Sequence, residues 1–212
     1  LGIVYYEGKF IQQNLNEAIK YFSLSAKQNN FKAQYYLGIL YLKKEYNFFD
    51  INKGVFYLYL SAENGYEDAN FAVGFLHHEG KYMEKDINKA IYYYKEASSF
   101  NNEYAKNKLG IIYKNGFGSE ISPNINWSIE YLQESVLKKN DYLSIFNLSQ
   151  IYFYNEQVHN VDKSIQLLFT SFDSFRPSET LLCIALIKKC GYDINKIKNE
   201  LVEYFNQPEK IA

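Results

Sequence analysis

The sequence has few of the features that mark several common protein classes. Two cysteines among 212 residues are too few for a disulfide scaffold. The longest wholly apolar runs, such as residues 181–187, fall well short of the roughly 18 residues that a membrane-spanning helix needs. Lys and Arg total 23 against 24 Asp and Glu and are spread along the chain, so no basic stripe is available to follow a phosphate backbone. Direct membrane insertion and nucleic-acid binding are therefore not expected.

What the sequence contains instead is a repeat. A Leu-Gly-like pair recurs at intervals of 36, 36, 36 and 39 residues. Its copies are Leu1-Gly2, Leu37-Gly38, Val73-Gly74, Leu109-Gly110 and, degenerately, Leu148-Ser149. A second marker, Asp or Asn around one aliphatic residue, recurs at residues 14–16, 50–52, 86–88, 124–126, 160–162 and 193–195. Six copies in one phase indicate six units.

Each unit is predicted to hold two antiparallel helices, named A and B here. In the second unit Ala33, Leu37 and Tyr41 fall at i, i+4 and i+8 and form one stripe of helix A. The Asx marker then offers a side-chain oxygen to cap helix B, as Asp86 or Asn88 does for the third unit. Helix B is expected to end at residues that accept the left-handed conformation. These ends are Asn29-Asn30, Asn64-Gly65 and Asn101-Asn102.

A helical hairpin of about 36 residues cannot bury both of its faces alone, so neighbouring units are expected to stack into an α-solenoid. We predict one array over residues 1–212 with units at approximately 1–30, 31–66, 67–102, 103–140, 141–176 and 177–212. The chain starts inside the first helix A, because several residues that precede the Leu-Gly pair elsewhere are missing there. We therefore expect that an N-terminal neighbour has been removed.

The residues at these repeat positions resemble the Sel-one-like repeat family, a relative of the tetratricopeptide repeat. The resemblance covers nearly the whole chain and rests above all on the repeat-defining positions. These are Leu37, Gly38, Tyr41, Ala90, Leu109, Gly110 and Tyr113. Departures from the pattern include Lys44 in place of the loop Gly and His77 in place of a Tyr. The resemblance implies an all-α, right-handed α-solenoid without catalytic, cofactor or metal sites.

Few residues suggest chemistry. His77 and His78 are adjacent, so on a helix they point about 100° apart, whereas helical zinc sites use i, i+4 pairs. His77 is therefore predicted to be a packed aromatic residue at a Tyr position. Cys183 and Cys190 lie about 10 Å apart along a predicted helix and are expected to be unpaired thiols. No catalytic signature or phosphate-binding loop is present. We predict no enzyme activity, no cofactor and no small-molecule substrate.

Helix A also has a second apolar side, away from the Leu37 and Tyr41 stripe. One interpretation is that adjacent A helices bury it, since a helix that is apolar all round is usually buried. The other is a partner-binding groove. The candidate groove residues are Ile39, Leu42, Phe75, His78, Ile111 and Lys114.

The leading functional hypothesis is a non-catalytic scaffold or adaptor that binds a protein or peptide on the concave solenoid surface. The alternative is a regulatory repeat region of a larger enzyme assembly. That region is either fused to a protein kinase or similar to the endoplasmic-reticulum degradation adaptor for which the family is named. The lack of cysteine pairs favours a reducing compartment, the cytoplasm. The endoplasmic-reticulum lumen stays an alternative because the natural N-terminus is missing.

Overall fold

The computed structural model describes residues 1–136 and 142–170. These ranges contain ten helices and no strand. Odd-numbered helices are the A helices and even-numbered helices are the B helices. Their bounds are α1 Gly2–Glu7, α2 Leu15–Ala26, α3 Phe31–Tyr41, α4 Ile51–Glu63, α5 Glu67–Glu79, α6 Ile87–Ser99, α7 Glu103–Asn115, α8 Ile125–Val136, α9 Tyr142–Tyr154 and α10 Val161–Thr170. The predictions for residues 177–212, including Cys183 and Cys190, lie outside the described residues.

The chain forms two compact units, which are described separately. The first unit comprises Leu1–Leu109 with Gly116–Ser122, and the second comprises Gly110–Asn115 with Pro123–Ala212. In the first unit α1, α3 and α5 pack against the B helices that follow them, and α2 and α4 also pack against the next A helix. In the second unit α9 packs against both α8 and α10. Helical hairpins stacked in chain order therefore build each unit.

The Asx markers begin the B helices, as predicted. Asp86 Oδ1 accepts a 2.9 Å hydrogen bond from the Lys89 N–H, so the first Asx of the marker, not Asn88, is the cap. The same bond recurs at the other markers within the described residues. The acceptors are Asn14, Asp50, Asn124 and Asn160. Sequence periodicity at these positions thus corresponds to one local structure repeated five times.

The predicted ends of the B helices are also confirmed. Asn29, Gly65 and Asn101 have positive φ angles of 59°, 80° and 64°. These angles lie in the left-handed region, which Gly and Asn adopt more readily than other residues. Each reversal directs the chain into the next A helix.

Glycine in the Leu-Gly pair allows helices A and B of one repeat to approach closely. A Cβ atom at Gly38 would lie 2.6 Å from Leu58 Cγ, and Leu58 is only 1% exposed. The equivalent glycines face a large buried side chain in the same way. Their partners are Phe22 for Gly2, Tyr94 for Gly74 and Leu132 for Gly110. The repeat therefore needs its glycine for packing as well as for its register in the sequence.

Candidate partner-binding face

A repeated aromatic stack joins helices A and B, and His77 takes part in it. The His77 ring lies parallel to the Tyr93 ring, with centroids 6.0 Å apart and an interplanar angle of 8°. His77 is 5% exposed. Three other repeats place two tyrosines in this arrangement at 5.6–6.0 Å: Tyr5 on Tyr21, Tyr41 on Tyr57 and Tyr113 on Tyr131. The prediction that His77 is a packed aromatic substitute is therefore confirmed.

Tyr59 completes this third-repeat cluster, and the sequence analysis missed it. Its hydroxyl oxygen lies 2.6 Å from His77 Nε2 and 3.9 Å from the Met83 sulfur. Its ring meets the His77 ring edge to face at 6.2 Å. Neither the His nor the Tyr is arranged for metal binding, and residues 1–136 and 142–170 hold no group of three or more His, Cys, Asp or Glu that could bind a metal ion. The cluster is an internal packing element.

The second side of helix A is only partly covered in the first unit. Ile39 on α3 and Phe75 on α5, which are 36 residues apart, are both half-buried. By contrast, Leu37 and Val73 on the opposite stripe are fully buried at 0% exposure. The side chains of Ile39 and Phe75 are therefore in part accessible to a partner. We call the half-buried residues Tyr35, Ile39, Phe71 and Phe75 the A-helix face.

Leu42 and His78, also predicted to line a groove, differ from these residues. Leu42 is 9% exposed and belongs to a core cluster with Leu58. It fills the space left by Gly54, where a Cβ would lie 2.6 Å from Leu42 Cδ2. At this position the structure favours the burial interpretation. His78 is half-buried, and its Nδ1 lies 3.3 Å from the Tyr94 hydroxyl.

Aromatic rings and one cation border the A-helix face. Tyr35 packs edge to face against Tyr66, and burial raises the pKa of Tyr35 to about 12. Phe71 contacts Tyr104, which is 70% exposed. Lys108 Nζ lies 5.7 Å from the centroid of the Phe75 ring, within cation–π range. The face thus offers rings, aliphatic surface and hydroxyl groups, the composition typical of protein-binding surfaces.

The second unit contains the remaining predicted groove residues. Ile111 is half-buried. Lys114, also half-buried, donates hydrogen bonds to Asn147 Oδ1 at 3.0 Å and to Gln150 Oε1 at 2.6 Å. Burial lowers the pKa of Lys114. Asn147 lies 33 residues after Lys114 and Gln150 lies 36 residues after it, and the sequence analysis did not pair either amide with Lys114.

The repeat-defining residues occupy the packing positions expected for them. Leu37, Ala90 and Leu109 are fully buried. Gly110 contacts Leu132 in the second unit, and its carbonyl accepts a 2.7 Å hydrogen bond from the Ser128 hydroxyl. These residues hold helices A and B together and are not available to a partner. No helix in the described part of the chain is long and apolar enough to cross a membrane.

Comparison with known families agrees with this geometry. The sequence profile of the Sel1 repeat matches residues 1–30, 31–66, 67–99 and 103–140. These segments make up more than half of the chain, which therefore belongs to the Sel1 repeat family. No curated protein sequence matches the chain. Sel1 repeat proteins generally serve as scaffolds for protein interactions, and the Sel1 fold is typically non-catalytic.

Solved structures confirm the all-α solenoid fold. A Sel1 repeat protein from Oxalobacter formigenes is 23% identical, with a TM-score of 0.75 over 89% of this chain and 73% of that protein. The protective antigen c5321 of uropathogenic Escherichia coli, which displays an SLR fold, is 22% identical with a TM-score of 0.78. That match covers 89% of this chain but 40% of the antigen, so this chain spans well under half of the antigen's length.

Proposed function

We propose that this protein is a non-catalytic scaffold that binds a peptide or protein segment through its A helices, the helices expected to line the concave side of an α-solenoid. The observation that carries the proposal is the half-buried state of Ile39 and Phe75. An apolar side chain that recurs at one repeat position and stays partly open is typical of an interaction surface. Membership of a scaffold family supports the same assignment.

The A-helix face has properties that favour a polypeptide as the ligand. Its aromatic rings provide large contact areas at a low cost in conformational entropy, as interface tyrosines commonly do. Lys108 beside Phe75 adds a positive charge at the edge of the apolar surface. Ile111 and Lys114 are proposed to extend binding to the A helices of the second unit. Leu42 is proposed to support the surface from below, because it is buried.

The substitution Phe75→Glu tests this proposal. The matched control is Tyr92→Glu, which places the same charge at an aromatic residue that is 58% exposed on the B helix α6. Tagged full-length wild type and both variants are used for affinity capture from the source cells, followed by quantitative mass spectrometry. We expect Phe75→Glu to lose partners that Tyr92→Glu retains, while both variants melt within a few degrees of the wild type.

Two results would contradict the proposal. If Phe75→Glu melts far below Tyr92→Glu, Phe75 is a core residue and the face is buried, since an unpaired charge in a core is strongly destabilising. If Phe75→Glu keeps its melting temperature and captures every partner of the wild type, the A-helix face does not bind them.

A further inference from the structure

A small pocket in the second unit combines a cation with amide groups. It lies where the C-terminal ends of α7 and α9 meet the start of α8, and its volume is about 220 Å³. No Asp or Glu of the described ranges lines it. Residues that line it include Lys114, Asn115, Ile125, Gln150, Ile151 and Asn155. The volume is below that of a typical drug-sized ligand site and suits one side chain.

The polar groups beside Lys114 have defined orientations. Asn147 Nδ2 donates a 2.9 Å hydrogen bond to the Leu143 carbonyl, which directs Asn147 Oδ1 toward the Lys114 ammonium. Gln150 also offers its oxygen to Lys114, so the Gln150 NH₂ group points elsewhere. Two of the three ammonium protons are used by these amide oxygens. One ammonium proton is left as a donor for an additional acceptor.

The charge of Lys114 has no counterion within the described residues. Other lysines there do form ion pairs, among them Lys9 with Glu7, Lys20 with Glu17, Lys53 with Asp50 and Lys89 with Asp86. Lys114 contacts amide oxygens and forms no ion pair with a described carboxylate. Burial is also what lowers its pKa, with no acidic group nearby to offset it. A half-buried cation whose described side-chain partners are neutral amides is complementary to an anion.

We propose that this pocket binds the side-chain carboxylate of an Asp or Glu in a partner protein. Lys114 donates a hydrogen bond to the carboxylate, and Ile125 and Ile151 contact an aliphatic neighbour in the same segment. The inference rests on the proposed scaffold function, because it takes the ligand to be part of a bound polypeptide.

A side-chain carboxylate fits this pocket better than the C-terminal carboxylate of a chain. Terminal carboxylates are commonly bound by a group of free backbone N–H donors. The C-terminal ends of α7 and α9 present carbonyl groups there instead. The Asn155 N–H is already bonded to the Ile151 carbonyl. A carboxylate would therefore be recognised through the Lys114 ammonium, which has to offset the negative ends of these two helices.

The test is an NMR titration of the full chain with small probes. N-acetyl-glutamate α-amide carries only the side-chain carboxylate, N-acetyl-glutamine α-amide is its neutral counterpart, and N-acetyl-leucine carries a terminal carboxylate. The signals observed are the side-chain NH₂ groups of Asn147 and Gln150 and the methyl groups of Ile125 and Ile151. We expect saturable shifts with N-acetyl-glutamate α-amide at millimolar concentrations and much smaller shifts with the other two probes.

Variants at Lys114 separate binding from structure. Lys114→Met should weaken the glutamate probe roughly tenfold or more, whereas Lys114→Arg should keep a charge and retain most of the binding. A thermal melt of each variant shows whether it folds. The proposal is overturned if the neutral probe shifts the same signals equally, if a folded Lys114→Met binds as the wild type does, or if no probe gives saturable shifts. It is also overturned if N-acetyl-leucine binds as well as the glutamate probe. Because these readouts need no partner, they are independent of the Phe75→Glu capture experiment.

Discussion

The second and third repeats have the same stacked contact between helices A and B but make it with different side chains. In the second repeat Tyr41 stacks on Tyr57 at 6.0 Å and 9°. In the third repeat the smaller His77 stacks on Tyr93 at 6.0 Å and 8°. The stacking geometry is thus the same although one ring has been replaced. The His77 stack has a further aromatic contact, because the Tyr59 ring from the preceding repeat meets the His77 ring edge to face.

The residue at the position of Tyr59 changes in size in the opposite direction to the residue at the position of His77. Ser23 and Tyr59 are 36 residues apart and hold the same repeat position, and so do Tyr41 and His77. The pair Ser23 and Tyr41 is therefore equivalent to the pair Tyr59 and His77. The small Ser23 is paired in this way with the large Tyr41, and the large Tyr59 is paired with the smaller His77. Packed interiors tolerate changes that conserve total volume better than changes at one position. The sizes of the two residues thus change in opposite directions between these two repeats, whereas the fourth repeat has Lys95 and Tyr113 at the same positions.

A second difference between the two repeats follows the same rule. Gly54 in the second repeat leaves space for Leu42, which is buried. The third repeat has Ala90 and His78 at the equivalent positions, and His78 stays half-buried. A position that is part of the core in the second repeat is therefore only half-buried in the third.

The largest effect is expected from breaking the volume match at Tyr59 and His77. Tyr59→Ser should destabilise the protein by about 2–4 kcal/mol, because it leaves a cavity and removes the bond to His77 Nε2. His77→Tyr should cost about 1–3 kcal/mol, because Tyr59 occupies the space that a longer ring needs. The double variant recreates the Ser23 and Tyr41 pair and should recover much of the loss. Urea denaturation of all four proteins gives the coupling energy, expected at about 1–3 kcal/mol.

The control for this cycle is Ser23→Tyr, which adds a large ring where Tyr41 already fills the space. It should destabilise the second repeat. Strict additivity of Tyr59→Ser and His77→Tyr would show that the two positions are independent and that their opposite sizes are a coincidence.

A smaller effect, with an informative sign, is expected at Gly54. Gly to Ala in a helix interior normally stabilises by about 1 kcal/mol. Here the new Cβ would lie 2.6 Å from Leu42 Cδ2 and 3.2 Å from the Gly38 carbonyl oxygen, so Gly54→Ala should destabilise by about 1–2 kcal/mol. In a Leu42→Ala background the same change should become neutral or stabilising. Thermal unfolding is measured with and without Gly54→Ala, once in the wild type and once in the Leu42→Ala background. If Gly54→Ala stabilises the wild type, Leu42 moves aside easily.

The sequence predicts where the helices begin and end better than it predicts the contacts between their side chains. Caps and helix ends are local structures, so Asx and Gly at 36-residue spacing are sufficient to locate them, as Asp86 and Gly65 show. The contact between Tyr59 and His77 spans 18 residues and depends on the direction in which each side chain leaves its helix. Comparison of the repeats position by position, for opposite changes in size, is a signal that can reveal such pairs.

The candidate site was predicted less completely than the fold. Helical angles distinguish two sides of helix A, but they do not show how far the neighbouring helices cover each one. Ile39 is half-buried and Leu42 is buried, although both were assigned to one groove. The amide partners of Lys114 come from α9, 33 and 36 residues away, and the repeat period alone does not show that these side chains hydrogen-bond to each other.

A modest effect is expected at the start of α3. Asn30 Oδ1 accepts a hydrogen bond from the Ala33 N–H at 2.9 Å, whereas α5 begins after Tyr66 without a side-chain cap. Asn30→Ala should therefore cost about 1 kcal/mol. Asn30→Asp keeps the capping oxygen and should cost much less. Denaturant midpoints measure both, and equal losses would show that the contribution of Asn30 does not come from its cap.

The smallest expected effect concerns pH and also separates the second repeat from the third. Burial lowers the pKa of His77, and the nearby Lys89 lowers it further, while Asp86 raises it. Burial also lowers the pKa of His78, with Lys108 adding to the shift. The Glu84 backbone acts in the opposite direction on the pKa of His77, and Glu79 does so on the pKa of His78. The second repeat has no histidine, so any such titration belongs to the third.

The sign of this effect follows from proton uptake. A histidine with a folded-state pKa below its ordinary 6.5 takes up a proton in the unfolded state first as the pH falls. The stability is therefore fully present above pH 6.5 and is lost as the pH falls through the folded-state pKa. The double variant Tyr59→Ser, His77→Tyr keeps the packing but has one fewer titrating ring, so its stability should fall less over this window. Urea midpoints measured from about pH 8 to pH 5 test this, and an unchanged slope in the double variant would assign the pH dependence to groups other than His77.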